Sequence, residues 1–210
     1  EERIGDLVFN QADKSLWGIR HFNGQSTLVR MPHPYSEWNQ IFTWPFGQDM
    51  YNIDISKDGK NITGALAEIN GQQLLIRMNV DSIKTGNISF DTLFNFENTI
   101  PANFVFSDNG KYLYGTSYYS GVSNIYRYDF DKKDMEIMSN SETGFFRPVP
   151  ISIDSILAFK YTSEGFQPIL IANKPELNVN AIDFLGQQIV EQHPIVEEWI
   201  APPPSSINID

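Results

Sequence analysis

The chain repeats a short pattern at a regular interval, and this repeat constrains the fold more than any other feature of the sequence. A glycine followed six residues later by an arginine occurs as "GQSTLVR", "GQQLLIR" and "GVSNIYR". The arginines are Arg30, Arg77 and Arg127, which are spaced 47 and 50 residues apart. A fourth copy, "GFQPILI", carries Ile171 at the arginine position. A period of this length is typical of proteins that repeat one supersecondary unit.

Each unit also contains four short β-rich runs separated by turns. Polar turns such as "SKDGKN" and "SDNGKY" lie between the first two runs, and Asn23-Gly24 and Asn70-Gly71 lie between the second and third. Asn-Gly pairs favour tight hairpins, because both turn positions need positive φ. Four antiparallel strands in each repeat predict an all-β fold, specifically a β-propeller with four-stranded blades. A β-sandwich also has short, regularly spaced strands, but it does not predict three matching glycine-to-arginine intervals.

The repeated arginines occupy the same place in three units. Equal placement predicts a structural role, such as covering a neighbouring strand or pairing with a carboxylate of the next blade. We therefore do not expect these arginines to form a ligand site.

The repeat predicts a propeller over residues 1–186, with blades near 4–50, 51–99, 100–146 and 147–186. Residues 187–210 read as a strand-like segment followed by a proline-rich linker. The sequence predicts no regular helix, since Asn and Gly weaken the helical spacing from Val179 to Val190. An open propeller would leave sheet edges unpaired, so the count of about four blades predicts that they are part of a larger ring.

The charge of the chain narrows the classes of partner. Acidic residues outnumber basic residues by 26 to 15, which gives a formal net charge of −11. Nucleic-acid phosphates bind clustered Lys and Arg, so this balance argues against a nucleic-acid partner. The chain has no Cys and no run of about 18 apolar residues, so it predicts neither disulfides nor membrane insertion of this segment as a helix.

Two of the repeats resemble those of the TolB-type, WD-like propeller family, which is related to the propellers of tricorn protease and the prolyl oligopeptidases. The family pattern combines a Ser, an Asp-Gly-Lys turn, an apolar strand and a later Ile-Tyr-x-x-Asp segment. The matching residues are Ser56, Asp58, Gly59 and Lys60 in the second unit, and Ser107, Asn109, Gly110, Lys111, Ile125, Tyr126 and Asp129 in the third. The resemblance implies the architecture, and it implies no particular site because these repeats define structure.

No familiar catalytic motif occurs in the sequence. It lacks the HExxH spacing of zinc peptidases, the GxSxG nucleophile elbow and the glycine loops that bind nucleotides. Asp129, Asp131 and Asp134 are spaced like calcium ligands, but two intervening lysines and the lack of a glycine favour a solvated turn. We therefore predict no cofactor and no metal site, and the sequence favours a segment without its own catalytic centre.

Propeller geometry selects one face as the candidate binding surface. The turn between the second and third strands of a blade opens on the same face as the connection to the next blade. Aromatic and acidic side chains at these places can stack on a peptide or pair with it. The candidate residues are Trp44, Phe46, Glu68, Tyr118, Tyr119, Phe145 and Arg147. The alternative role for each of them is packing between blades.

Three functional hypotheses follow. The first is a non-catalytic propeller module that binds a protein or peptide, as part of a larger bacterial cell-envelope protein in the periplasm or at the outer membrane. The second is an accessory propeller that gates a peptidase or other hydrolase whose catalytic domain lies elsewhere in the chain. The third is a propeller hydrolase or lyase with its own carboxylate or histidine site in the channel. This hypothesis is the least favoured of the three, because the chain has only three histidines and they are scattered.

Overall fold

The computed structural model describes residues 3–176, which form four antiparallel sheets. The first sheet contains β1 (Arg3–Asn10), β2 (Ser15–Phe22), β3 (Gln25–Met31) and β4 (Asn39–Thr43). The second contains β5 (Asp49–Ile55), β6 (Asn61–Ala67), β7 (Gln73–Asn79) and β8 (Phe90–Asn95), with helix α1 (Val80–Lys84) between its last two strands. The third contains β9 (Ala102–Phe106), β10 (Tyr112–Ser117), β11 (Asn124–Asp129) and β12 (Asp134–Ile137). The fourth contains β13 (Phe145–Pro150), β14 (Ser155–Thr162) and β15 (Gly165–Ala172).

The strands of each sheet pair in chain order, as the repeat predicts. Three sheets have four strands, and the fourth has three within the described residues. The second and fourth sheets begin at Asp49 and Phe145, ahead of the predicted starts at residues 51 and 147. The first strands of successive sheets contact one another, β1 with β5, β5 with β9 and β9 with β13. The four sheets are therefore blades of a partial β-propeller, which confirms the predicted all-β class.

One helix was not predicted from the sequence. Helix α1 begins after Asn79, whose side chain accepts the N–H of Ser82, and it carries Asp81 in its first turn and Lys84 in its last. These are favourable capping and dipole positions. The signal was present in "NVDSIKTG", but five residues are too short for a visible helical period. Both the predicted linker 187–210 and the stretch 179–190 lie outside the described residues.

The polar turns close through hydrogen bonds made within the turn. Ser56 Oγ donates to Asp58 Oδ1 (2.6 Å) and accepts the N–H of Asn61 (3.0 Å). The third sheet repeats both bonds at its own turn, at 2.8 and 3.0 Å. Gly59 and Gly110 occupy the left-handed position, with φ of 72° and 68°. The two turns that carry the family resemblance thus have the same conformation.

The two Asn-Gly turns differ from each other. Asn23-Gly24 forms a two-residue hairpin with positive φ at both residues, as predicted. At Asn70-Gly71 only the glycine has positive φ (88°), and a three-residue loop lies between the bonded pair Glu68 and Gln72. The prediction of positive φ at Asn70 was therefore wrong, because the longer loop needs only one left-handed residue.

The first strand of each sheet is called the inner strand here, and these strands are β1, β5, β9 and β13. Each inner strand contains a bulge at an equivalent position. The pairing with the second strand of the sheet shifts there, and one non-glycine residue adopts positive φ. These residues are Asp6 (49°), Asn52 (52°), Asn103 (53°) and Arg147 (48°). A bulge of this kind leaves the extra residue out of the ladder and bends the strand.

The repeated glycine of the second strand lies against this bulged segment. A Cβ at Gly64 would meet Met50 Cε at 2.7 Å, and one at Gly115 would overlap the ring of Phe104. Gly18 is enclosed in the same way by Ile4 and Leu7. The glycines of the repeat therefore allow close approach of the inner strand, a reason independent of turn formation.

The three arginines of the repeat each bind a carboxylate of their own sheet. Arg30 Nη2 lies 3.0 Å from Asp13 Oδ2, and Arg77 Nη2 lies 2.7 Å from Asp91 Oδ2. Arg127 binds the third carboxylate, at 2.6 Å. One of the two predicted roles, pairing with a carboxylate of the next blade, was therefore wrong. The carboxylate comes from a turn or strand of the arginine's own sheet. Two contacts do cross to the next sheet, but neither is with a carboxylate. Arg77 lies over the ring of Phe130 in the third sheet, and Arg127 Nη1 donates to Asn173 Oδ1 beside the fourth (3.2 Å).

The partial propeller has two faces. The turn face carries the first turn of each sheet, and the hairpin face carries loops 23–24, 68–72, 118–123 and 163–164 with the connections 44–48, 96–101 and 138–144. On both faces, a hydrogen bond joins the first sheet to the second. Asn10 Nδ2 donates to Gly59 O on the turn face (3.2 Å), and Gln48 Nε2 donates to Glu68 Oε2 on the hairpin face (2.8 Å). Within residues 3–176, no helix is long and apolar enough to cross a membrane.

Candidate functional site

Large apolar side chains are exposed along the hairpin face. They come from the loops and inter-sheet connections of the first three sheets, not from one element. They are Phe22, Phe46, Ile69, Ile100, Tyr118 and Tyr119. Exposed apolar residues spread singly are ordinary, whereas several on one face favour an interaction surface. This set overlaps the candidates from the sequence at Phe46, Tyr118 and Tyr119.

The first group of candidates lies where the first sheet meets the second. Phe46 is 68% exposed, and Ile69 on the neighbouring hairpin is 80% exposed. The Ile69 side chain lies against the backbone of Gly47, since a Cβ at Gly47 would meet Ile69 Cδ1 at 2.8 Å. Glu68 accepts the Gln48 hydrogen bond described above, which holds the connection 44–48 to the hairpin. The structure thus brings Phe46 and Glu68 together, and it adds Ile69, which the search for aromatic residues missed.

The second group lies where the third sheet meets the fourth. Tyr119 packs edge-on against Phe96, at 5.8 Å between ring centroids, while Tyr118 lies 6.4 Å from Phe146. Phe145 is half-buried, and its N–H donates to Ser123 O (2.8 Å), so it joins the two sheets. Phe146 also contacts the ring of a phenylalanine at position 166, at 5.3 Å.

Arg147 completes this second group at the bulge of β13. It is exposed and lines an open cavity of about 480 Å³ together with Asn103, Phe146, Phe159 and Phe166. Three aromatic walls with one guanidinium and one amide make a mixed apolar and polar surface. Sequence reasoning found Arg147 but missed Phe146 and Asn103, because only the bulge register aligns them.

Trp44 has a different environment from the other candidates. It is 2% exposed and packs against Phe42 and Phe90 in the core of the first two sheets. The backbone N–H of Trp44 donates to Ser26 O (2.9 Å). This bond continues the strand pairing beyond β4 and directs the side chain into the core. In this structure Trp44 supports the connection that presents Phe46 and offers little surface to a ligand.

Acidic residues also occur at the loops of the hairpin face. They are Asp49, Glu68, Glu97, Glu142 and Glu164, each in or beside a loop of that face. Asp49 Oδ1 lies 3.6 Å from His21 Nδ1. The face therefore suits a segment that combines apolar side chains with positive charge.

The turn face contains a different feature, an open cavity of about 410 Å³ that all four inner strands line. Its walls include Val8, Asp54, Val105 and Val149, one from each inner strand. Asp54 Oδ2 accepts the N–H of Phe106 (2.8 Å) across the boundary between the second and third sheets. Burial raises the pKa of Asp54 more than its hydrogen bonds from backbone N–H groups lower it. Sequence reasoning missed this residue, which reads as an ordinary polar position of an alternating strand.

The aspartates after β11 form a turn. Asp129 is buried, and its Oδ1 accepts the N–H groups of Asp131 (2.9 Å) and Lys132 (3.1 Å). These bonds occupy the carboxylate oxygen that faces the turn. No group of three or more metal-binding side chains occurs within residues 3–176.

Comparison with known proteins matches this arrangement of sheets at low sequence identity. No family model matches the chain, and no curated protein matches it by sequence. Among solved structures, TolB from Acinetobacter baumannii is 16% identical with a TM-score of 0.65, over 86% of this chain and 45% of that one. A TolB-type protein from Agrobacterium tumefaciens is also 16% identical, with a TM-score of 0.66, over 81% of this chain and 62% of that one.

A prolyl endopeptidase is similar as well, at 12% identity and a TM-score of 0.61, over 84% of this chain and 28% of that one. These likenesses establish the class, a β-propeller of antiparallel blades. More particularly, the fold is that of the TolB and peptidase propellers, which agrees with the resemblance of the repeats. The chain spans less than two thirds of the length of each of these three structures.

Proposed function

We propose that this chain is a non-catalytic propeller module that binds a protein or peptide on its hairpin face. The observation that carries the proposal is the combination of exposed apolar groups with acidic residues on that face. Phe46 and Tyr118 mark its two halves, and both are more than half exposed. Aromatic anchors with a polar rim are the usual composition of a protein-binding surface.

We further propose that the module belongs to a larger propeller. Leu7 of β1 is 60% exposed, whereas its equivalents Ile53 and Phe104 are 9% and 2% exposed. The same holds in the last sheet, where Phe159 is 36% exposed and its equivalent Ile19 is fully buried. Apolar positions that are buried in other sheets are thus exposed at Leu7 in the first sheet and at Phe159 in the last, which favours additional blades packed there.

The likeness to bacterial TolB structures supports a place in the cell envelope, in the periplasm or at the outer membrane, as part of this proposal. The likeness to a prolyl endopeptidase supports a second candidate, an accessory propeller that gates a peptidase. The full-length gene separates the two candidates. A nucleophile elbow or another catalytic motif outside these 210 residues would favour the gating role.

Peptides selected from a random display library against the immobilised chain test the binding proposal. We expect selected peptides to combine apolar and basic residues, and to bind the double variant Phe46→Ser, Tyr118→Ser at least about tenfold more weakly. Tyr35→Ser is the matched control, because Tyr35 is an exposed aromatic outside the hairpin face. Equal binding to the wild type and the double variant would reject the hairpin face as the site.

The size of the protein in its source cells tests the larger propeller. An antibody against this segment should detect a polypeptide much longer than 210 residues. A band at the size of the segment itself would contradict the proposal, and the open end sheets would then need self-association to be covered.

A further inference from the structure

The cavity on the turn face has one position that departs from the repeat. Pairing with the second strand aligns Val8 with Trp17, Asp54 with Thr63, Val105 with Tyr114 and Val149 with Leu157. Four equivalent positions therefore line the same cavity, and three of them are valine. The blade tolerates an apolar side chain at this position, so its architecture does not require the carboxylate in the second sheet.

The hydrogen bond of Asp54 does not account for the carboxylate either. Asp54 accepts the N–H of Phe106, but the valines at the equivalent positions offer no acceptor to the neighbouring sheet. One amide acceptor would satisfy this N–H without a charge. Burying a carboxylate against valine and phenylalanine opposes folding, so an uncompensated charge here calls for a partner.

Within residues 3–176, no cationic side chain pairs with Asp54. Lys57 lines the same cavity, but its Nζ pairs with Asp108 Oδ2 at 3.2 Å. A carboxylate offers about four acceptor sites, and backbone N–H groups of Phe106 and Ile55 use two of them. Asp54 lines an open cavity whose walls combine apolar side chains with polar ones, among them Ser56, Lys57 and Asp108.

We propose that Asp54 receives the cationic side chain of a lysine or arginine from a partner polypeptide that enters the cavity on the turn face. An aliphatic stem against Val8, Val105 and Phe106 and a charged end on Asp54 match the apolar part of the walls and an acid without a cationic partner. The other acid of the cavity, Asp108, already pairs with Lys57. A divalent cation fits less well, since calcium needs about six to eight oxygen ligands. This site lies away from the hairpin face and does not depend on the function proposed there.

Titration of the full 210-residue chain with small probes, followed by NMR, tests the proposal. The probes are Nα-acetyl-lysine amide and Nα-acetyl-arginine amide, with Nα-acetyl-citrulline amide as the neutral isostere. We expect saturable shifts of the backbone amides of Ile55 and Phe106 with the two cations, and at least tenfold weaker binding of citrulline. Equal binding of the citrulline probe would overturn the assignment, because the charge would then be irrelevant.

Three variants complete the test. Asp54→Asn removes the charge and keeps an acceptor, and Asp54→Val copies the other blades, so both should fold. Each should weaken binding of the cationic probes at least tenfold, whereas Asp131→Asn, an equal charge change at an exposed turn, should leave it unchanged. Unchanged binding to both Asp54 variants would place the cation elsewhere.

Glycinamide is a further probe, and it carries only an α-ammonium group. Binding equal to that of the lysine and arginine probes would overturn the proposal that the cation belongs to a side chain.

Discussion

Asp13 Oδ2 lies 2.7 Å from Lys84 Nζ, although the two residues are 71 positions apart and belong to different blades. Asp13 is in the first turn of the first sheet, and Lys84 is in the last turn of helix α1 in the second. The same carboxylate also binds Arg30 of β3 at 3.0 Å. One acid thus fixes a turn to its own sheet and to the helix of the next.

Asp13 should make the fold sensitive to acid. Burial pushes its pKa upward, but hydrogen bonds from Lys84 and Ser15 outweigh burial and lower the pKa of Asp13 to about 2. The stabilisation is therefore complete above the unfolded value of 3.8 and is lost as the pH falls toward 2. Asp13→Asn should lower the free energy of unfolding by about 1 kcal/mol at pH 7, after allowance for solvent screening.

Urea unfolding at pH 7 and at pH 2 measures this difference between wild type and variant. The gap between the two proteins should shrink at the lower pH. The exposed substitution Asp131→Asn serves as the control and should change neither curve. A gap that stays constant with pH would mean that the charge of Asp13 is not what stabilises the contact.

Arg127 should contribute more to stability than Arg77, although both occupy the same place in the repeat. Arg127 is 8% exposed and binds Glu136 Oε2 through Nε (2.8 Å) and Nη2 (2.6 Å). Arg127→Met would leave a buried carboxylate with Lys132 as its remaining cation, at a loss of about 2–4 kcal/mol. Arg77→Met removes a more exposed pair and should cost about 1 kcal/mol or less. Equal losses in urea unfolding would contradict the dependence on burial.

The repeated glycine of the second strand should resist substitution. A Cβ at Gly115 would overlap the ring of Phe104, which is itself buried, so Gly115→Ala should destabilise the fold by about 1–3 kcal/mol. Gly5→Ala is the matched control, because a Cβ at Gly5 meets no atom within 4 Å. Chemical unfolding should show a lower midpoint for Gly115→Ala alone, and a similar loss at Gly5 would point to backbone propensity as the cause.

Asp54 should oppose folding at neutral pH. Burial raises its pKa in the folded state above the unfolded value of 3.8, so ionisation favours the unfolded chain as the pH rises. Asp54→Asn should therefore melt at a higher temperature than wild type at pH 7, with the difference disappearing below pH 3.8. Thermal melts at both pH values test this, and a variant less stable than wild type at pH 7 would show that the carboxylate is compensated within the chain.

The sequence was sufficient to predict the fold because the blade repeat depends on local chemistry. The Ser-x-Asp-Gly-Lys turn is closed by its own side chains, so Ser56 and Gly59 could be interpreted without knowledge of the rest of the chain. Helix α1 was missed because its capping residues act over a single turn. Of the two roles predicted for the arginines, pairing with a carboxylate of the next blade was wrong, since a spacing in sequence does not give a direction in space.

The candidate site was predictable only in part. Phe46 and Tyr118 follow from the position of their loops, which antiparallel pairing fixes. Trp44 has the same kind of sequence neighbourhood, but a backbone bond to Ser26 directs it into the core. The unusual position of Asp54 was not visible in the sequence. Each inner strand has a bulge that adds a residue, so only the observed strand register aligns Asp54 with three valines.

The bulges have a consequence for how the sequence of this partial propeller changes over time. Asp6, Asn52, Asn103 and Arg147 share one backbone conformation but carry three different chemical groups, a carboxylate, an amide at two of the positions and a guanidinium. The left-handed conformation costs roughly 1–3 kcal/mol at each place and is held by the surrounding sheet. A side chain at one of these places can change while the bulge keeps its backbone conformation, so a lineage can revise the first strands one blade at a time while the scaffold stays the same. Asp6 and Asn52 are the linked pair, since Asp6 Oδ2 accepts the N–H of Asn52 (2.8 Å).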